Sequence, residues 1–435
     1  MPTAQPPLLR IAIIGGGPGG LGSAIALSAL PNVSVTLYEQ ASELREIGAG
    51  IRIGLNCWTV LGLLGVGDGV EGVAGHVKDR VLHRNGLSGE LLKESRPGGG
   101  GLERRFWPRR VRRTRLQGAL VGRVREGVGE GVIRLGRRLV RMEKVVDGGV
   151  RLWFEDGGEE VADLVVGGDG IRSVVREHVF PDHSIKFTGT TIFRTLIPAS
   201  SVSHIPGMTP DTTWWHGPTG HMYSSLVDDP AEVEPAEQMF EIAARNVCDP
   251  ATVTGKRFSW GVPATKERVE GFFTDFDPRV RETLATVPEG NWREFSAFAG
   301  PRLEKLVAWE GRVVLIGDAS HPLSGAFGSG AAFALEDGWI LARAIEYARG
   351  DLGVALDIFD EIRSPYYSRM YQHLDQIKAN TQAAKEANPN QSFEESLQAR
   401  VNAFGGEDQL SWIYGNDIAG VWKKWVEGKT GNGVK

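Results

Sequence analysis

The 435-residue chain carries a formal net charge of −5, so no global field draws it to nucleic acid or to an anionic membrane. Its balance of 41% hydrophobic and 24% charged residues is that of a soluble globular protein, long enough for two or three domains. Two cysteines, Cys57 and Cys248, are too few for a disulfide framework and lack metal-ligand spacing, and no apolar run is long enough to span a bilayer. The opening stretch MPTAQPPLLRIAIIGGG passes straight into a strand-like run without a signal peptide's apolar segment, so a cytoplasmic, reducing setting is expected.

Residues 10–20 read as strand, turn and helix start, residues 21–30 as an Ala-rich helix, and residues 33–39 as a strand ending in a carboxylate, a βαβ unit. Within it, GGGPGG at 15–20 fits G-x-G-x-x-G. Gly15 permits the tight turn, Gly17 close phosphate approach and Gly20 close helix–strand packing, while helix N–H groups face a pyrophosphate. Glu39 stands where a carboxylate accepts from ribose hydroxyls. Residues 96–116 combine a glycine run with Arg104, Arg105, Arg109, Arg110, Arg112, Arg113 and Arg115. Part of this cluster is expected to meet cofactor phosphates and most of it to be exposed. The acidic net charge and the lack of a recognition motif argue against a nucleic-acid site.

Strands are expected at 150–154 and 162–168, the second running into GGDG. Short β-like segments over 185–227, with WGVPA near Trp260, predict a mostly antiparallel sheet. A buried strand follows at 313–317, then helices over 330–349 and 366–385 and a more polar tail. In VVLIGDASHPLSGAFGSGAAF at 313–333, a strand stops at Asp318 and the following loop is almost cleared of bulky polar side chains. Such a loop lets a ligand approach its backbone. The motif at 15–20 does not by itself separate NAD from FAD. Two further strand-end carboxylates, Asp169 in DLVVGGDG at 163–170 and Asp318, suit a longer cofactor whose ribityl hydroxyls need acceptors.

These three motifs, in this order, resemble the single-component FAD-dependent aromatic hydroxylases of the p-hydroxybenzoate hydroxylase fold, in their fungal salicylate hydroxylase-like branch. YEQASELREIGAGI at 38–51, FRTLIP at 193–198 and WIYGND at 412–417 support it. The resemblance implies an α/β fold with a Rossmann-type, GR2-like FAD-binding domain assembled from 1–80, 100–180 and 290–365. An antiparallel β-sheet substrate domain (81–99 and 181–289) is inserted in it, and a helical C-terminal segment covers 366–435. It implies that Glu39 holds the adenosine ribose and that Arg45 and Arg113 lie near FAD. Asp169 and Gly170 would sit by the pyrophosphate and the nicotinamide route, and Asp318 would accept from the ribityl chain. Gly325, Gly328, Gly330 and Ala331 would face the flavin's N1–C2=O edge, which becomes anionic on reduction and favours a helix N-terminus. One departure from the family is the absence of a proline shortly after His321-Pro322, in LSGA at 323–326.

The activity implied is NAD(P)H- and O2-dependent hydroxylation of a small phenolic or aromatic substrate through a flavin C4a-hydroperoxide, with NADPH or NADH bound transiently and no metal. On the substrate side, Arg194 is a charge flanked by apolar residues in TIFRTLI. It either pairs with a substrate carboxylate or phenolate or caps a sheet edge. His221 and Tyr223 alternate in GHMYSSL and so share one strand face. Tyr223 is a donor to the phenolate or a core residue, and His221 a proton relay or a solvated side chain. His321 is either a catalytic group beside the flavin loop or a stabiliser of the turn. Trp214, Trp215, Phe295 and Phe298 are candidates for an aromatic pocket. The same motifs admit an epoxidase or dearomatising enzyme of a natural-product pathway, a reductase or oxidase without oxygen insertion, and a non-catalytic nucleotide-binding protein. Asp318 and its small-residue loop favour an enzyme. A monomer and a homodimer are both open.

Overall fold

The computed structural model describes residues 8–44, 49–71, 75–77, 80–96, 103–146, 148–208, 211–253, 259–403 and 407–431. Strand Leu9–Ile14 lies between two parallel neighbours, Val33–Tyr38 and Leu164–Gly167, and Val313–Leu315 extends the sheet beyond the latter. One row of side chains crosses all four strands, Leu37–Ile13–Val166–Val314, and each is fully buried. Continuous apolar strands of this kind belong in a parallel sheet covered on both faces. Because three of these strands run side by side in one direction, the segments leaving their C-terminal ends emerge together. Gly15, Asp169 and Asp318, far apart in the chain, are thereby brought to one edge.

Helix Pro18–Ser28 packs directly on helix Gly330–Tyr347. A Cβ on Gly338 would sit 2.4 Å from Ser23 Oγ, and one on Gly22 would sit 2.5 Å from a Leu335 methyl. A Cβ on Gly19, within the 15–20 turn, would sit 2.9 Å from the Ala334 Cβ, so that turn also serves a close helix–helix crossing.

The second sheet has eight strands in the order Trp260–Pro263, Arg293–Ala299, Lys186–Pro198, Met239–Val247, Gly220–Leu226, Thr212–Gly217, Val81–Asn85 and Leu91–Ser95. Its pairings are antiparallel except that of Thr212–Gly217 with Val81–Asn85. Phe193, Ile197, Met222, Leu226, Phe240 and Ile242 form a core with Val269, Phe273, Val280 and Leu284. By strand alternation, Ile192, Arg194, Tyr223 and Glu241 occupy the other face. Arg293–Ala299, expected within the nucleotide domain, pairs along Lys186–Pro198 and so belongs to this sheet.

Strand Arg109–Arg112, paired with Gly50–Ile53 and His76–Val77 in a small separate sheet, is tied to the eight-stranded sheet by buried ion pairs. Glu241 is fully buried, accepts from Arg110 Nε at 2.6 Å and from the Gly50 amide at 3.0 Å. Asp228, also fully buried, accepts from Arg112 Nε at 2.8 Å and the Met239 amide at 2.8 Å, and pairs with Arg115 at 3.1 Å. Here the expectation of a mostly exposed arginine cluster is corrected. Arg109, Arg110, Arg112 and Arg115 are largely withdrawn from solvent, because carboxylates from the other sheet meet three of them.

Helix Leu352–Ala387 begins earlier than the sequence suggested and runs through Pro365, across the expected 365/366 boundary. Proline removes one helical hydrogen bond, and the buried contacts of Ile362, Arg363, Tyr367 and Met370 carry the helix past it. Helices Phe393–Ala403, Glu407–Tyr414 and Ile418–Gly431 follow. Among the described residues no helix is long and apolar enough to cross a membrane.

Removing Glu241 leaves Arg110 buried without its carboxylate. Glu241→Ala is expected to lower the unfolding free energy by roughly 3–5 kcal/mol, measured by denaturant titration; an unchanged midpoint would show that the pair does not hold the sheets together.

Candidate active site

Gly15 takes a φ of +107°, and a Cβ there would lie 2.5 Å from the Gly168 carbonyl oxygen. A Cβ on Gly20 would lie 1.9 Å from the Gly15 carbonyl oxygen, so Gly20 serves helix–strand packing. Glu39 Oε2 accepts from the Gly16 amide at 2.6 Å and Oε1 from the Ala41 amide at 2.8 Å. The carboxylate therefore fixes the turn as well as facing the space beyond it.

That space is a cavity of 790 Å³ running between the two sheets. Gly15, Gly17, Glu39 and Arg113 line one end. Asp169, Gly170 and Asp318 line the middle, with Gly325, Gly328, Gly330 and Ala331 beside them. Ile192, Arg194, Phe295 and Phe298 come from the second sheet. Arg45 lies outside the described residues. A Cβ built on Gly17, Gly170, Gly325 or Gly328 meets no atom within 4 Å, so four bare stretches of backbone face open space. This is the surface that a pyrophosphate and a flat ring system require, and the residues fit FAD. Helix Gly330–Tyr347 has no side-chain cap and no acid in its first turn, leaving its N–H groups for a ligand.

Asp169 accepts from Ser173 Oγ at 2.6 Å and from the Val175 amide at 3.1 Å, and its burial raises its pKa. It shapes the turn while its neighbour Gly170 opens onto the cavity. Arg176, buried, donates to the carbonyls of Ile171 (2.6 Å), Ala319 (2.9 Å) and Asp318 (3.3 Å). It staples the two Asp-bearing segments together. In sequence it is an ordinary arginine after a strand, and only its burial marks its role.

A second buried centre lies behind Asp318. Asp337 Oδ2 accepts from the Gly317 amide at 2.8 Å, and Oδ1 accepts from Arg363 Nε (2.7 Å) and Tyr367 Oη (2.6 Å). Arg363 also donates to Glu336 at 3.1 Å. Burial works to raise Asp337, but the charge on Arg363, His321 and the Gly317 amide together outweigh it and hold the carboxyl at about 2. Glu336 is pushed by burial up to about 7 against the pull of Arg363. His321 belongs to this centre, not to the cavity wall. It is 1% exposed, stacks on Tyr367 with ring centroids 3.9 Å apart, and places Nε2 3.6 Å from Asp337. Its carbonyl accepts from the Leu323 amide at 2.7 Å, so the backbone adjoins the loop while the ring lies outside the cavity lining.

Of the substrate-side candidates, Arg194 lines the cavity. Among the described residues no carboxylate forms an ion pair with it, and its Nε has no hydrogen-bond partner. Burial lowers its pKa to about 10, so it stays charged at neutral pH. Tyr223 sits in the same row of the sheet, two strands away across Ala243. It packs edge-on to Trp214 and under Arg110, outside the cavity lining. His221, half-buried, also packs on Trp214, and burial depresses its pKa well below the usual value, which keeps the imidazole neutral. Sequence reading missed its neighbours His83 and His216, whose ring nitrogens are 3.0 Å apart. Phe295 and Phe298 line the cavity, whereas Trp215 is buried in the core on the far side of the sheet.

A family profile described as an FAD binding domain matches residues 113–373. The 6-hydroxynicotinate 3-monooxygenase of Bordetella bronchiseptica is 30% identical over 366 residues, covering 83% of this chain and 89% of that protein. The chain belongs to the FAD-dependent aromatic hydroxylases. It is an FAD-dependent monooxygenase. The 3-amino-4-hydroxybenzoate 2-monooxygenase PtmB3 of Streptomyces platensis is 29% identical over 419 residues, 95% of this chain and 97% of that one. A salicylate hydroxylase solved as a substrate complex shares the fold, with a TM-score of 0.73 at 22% identity over 95% of this chain and 97% of that one.

Two outcomes are expected. Asp318→Ala should purify with little FAD, read from the ratio of flavin to protein absorbance, and full occupancy would remove Asp318 as an anchor. Glu336, with a folded pKa near 7 against an ordinary value of 4.5, contributes stability that is full below pH 4.5 and lost as the pH rises through 7. Glu336→Gln should flatten that limb of the stability–pH curve.

Proposed function

We propose that this protein hydroxylates a small phenolic ring bearing an anionic group, using NAD(P)H and O2. The overall reaction converts the substrate, O2, NAD(P)H and a proton into hydroxylated product, water and NAD(P)+. Bound FAD supplies the electron transfer and oxygen activation. The chain's residues supply position and field. Arg194 carries this reading: a buried cation facing the cavity, with no ion-paired carboxylate among the described residues, is matched by a carboxylate or phenolate on the ligand. Ile192, Phe295 and Phe298 give the ring an apolar wall that excludes water. The names of the two bacterial relatives, a hydroxybenzoate and a hydroxynicotinate monooxygenase, point to the same combination of ring, hydroxyl and carboxylate. The uncapped start of helix Gly330–Tyr347 supports placing the flavin edge there.

The test is NADH and NADPH oxidation in air by the purified yellow protein, with phenols that carry or lack a carboxylate. Stimulation by a carboxylated phenol, with one oxygen atom added to the product, is the expected result. Arg194→Ala should keep its FAD and lose about 10- to 100-fold in kcat/KM, the worth of a charged hydrogen bond. Equal kinetics for charged and neutral phenols, unchanged in the variant, would dismiss an anion site at Arg194.

A further inference from the structure

The loop over residues 323–330 lacks the family's proline, yet it holds an unusual backbone. Ser324, Gly325 and Gly328 all take positive φ, at 56°, 70° and 62°. On the cavity side nothing touches Gly325 or Gly328. Some other part of the molecule has to hold this conformation from behind.

The C-terminal stretch does so. Tyr414 Oη donates to the Phe327 carbonyl at 3.1 Å. The next amide, that of Gly328, donates to the Gly325 carbonyl at 3.1 Å, so the 327–328 peptide is held on both sides. Because that peptide is planar, fixing its carbonyl fixes the orientation of the whole unit. Arg52 lies with its guanidinium 4.2 Å from the centre of the Tyr414 ring and donates to Ser329 Oγ at 3.3 Å. Asn416 donates to Glu336 at 3.0 Å, anchoring the stretch one helix turn further along. Ile413 and Ile418, fully buried on either side, seat it in the core of the nucleotide domain.

We infer that residues 412–417 buttress the 323–330 loop from behind, with Tyr414 and Arg52 as positioning residues that set its backbone for the flavin ring. The reading rests on that loop being the ring's seat, and the test separates the two. Tyr414→Phe removes the hydroxyl and keeps the ring under Arg52. Hydrogen–deuterium exchange of peptides covering 323–330 in FAD-free protein should rise about 5-fold, the worth of one hydrogen bond. Thr381→Ala, which removes a hydroxyl–carbonyl bond to Ile377 outside both segments, should leave that exchange at the wild-type rate. In the holoprotein, Tyr414→Phe should shift the flavin absorption bands and weaken FAD binding by a similar factor. Wild-type loop exchange in Tyr414→Phe, or an equal rise in Thr381→Ala, would overturn the buttress. Faster exchange with an unshifted flavin spectrum would uphold the buttress and overturn the placement of the ring on this loop.

Discussion

The ion pair between Asp337 and Arg363 is the contact on which the site rests. Both side chains are buried, so the loss of either would strand a charge away from water. The Asp337 carboxylate is also the acceptor for the Gly317 amide, the residue before Asp318. One group thus ties the end of a core strand to the helix whose start faces the cavity and, through Arg363 and Tyr367, to the long helix that follows. Asp318 lines the cavity, while Asp337 behind it is fully buried. His321 joins this centre by stacking on Tyr367, with Nε2 3.6 Å from Asp337.

The second constraint is electrostatic matching between the eight-stranded sheet and the small sheet of strand Arg109–Arg112. Glu241 and Asp228 come from the larger sheet and its connection, and their arginine partners come from the segment leading into the helix over residues 113–128. These pairs set how the substrate sheet stands over the nucleotide sheet, and with it the distance from Arg194 to the glycine-lined floor. They also use up the nearby carboxylates. Arg110, Arg112 and Arg115 are satisfied within the protein, while Arg194 is left facing the cavity. A cation in that position favours an anionic occupant over a neutral one.

The third is reinforcement of exposed backbone. Glycines that let a flat ligand approach give up the side chains that would otherwise brace the loop. Arg176 braces the two aspartate turns through three carbonyls. Tyr414 and Arg52 stand behind the adjoining loop in the same way. In each case a long polar side chain from outside the cavity reaches backbone groups that the cavity's own residues are too small to hold.

The sequence by itself determined the local pieces: the turn at Gly15, the close packing at Gly20, the carboxylate at the end of the second strand, and the bare backbone at Gly325 and Gly328. Each depends on the φ angle or the size of one residue within a few positions of its neighbours, so a short window contains the whole constraint. The alternation that put His221 and Tyr223 on one face was legible for the same reason. Tertiary structure alone decided which of those side chains reach the cavity. Arg110 meets Glu241 131 positions away, and Arg112 meets Asp228 116 positions away. His321 turns to a tyrosine on another helix, and the strand over residues 293–299 crosses to the other sheet. Coulomb attraction and packing act through space, and the separations that set them come from how whole segments stack, which no stretch of neighbouring residues encodes.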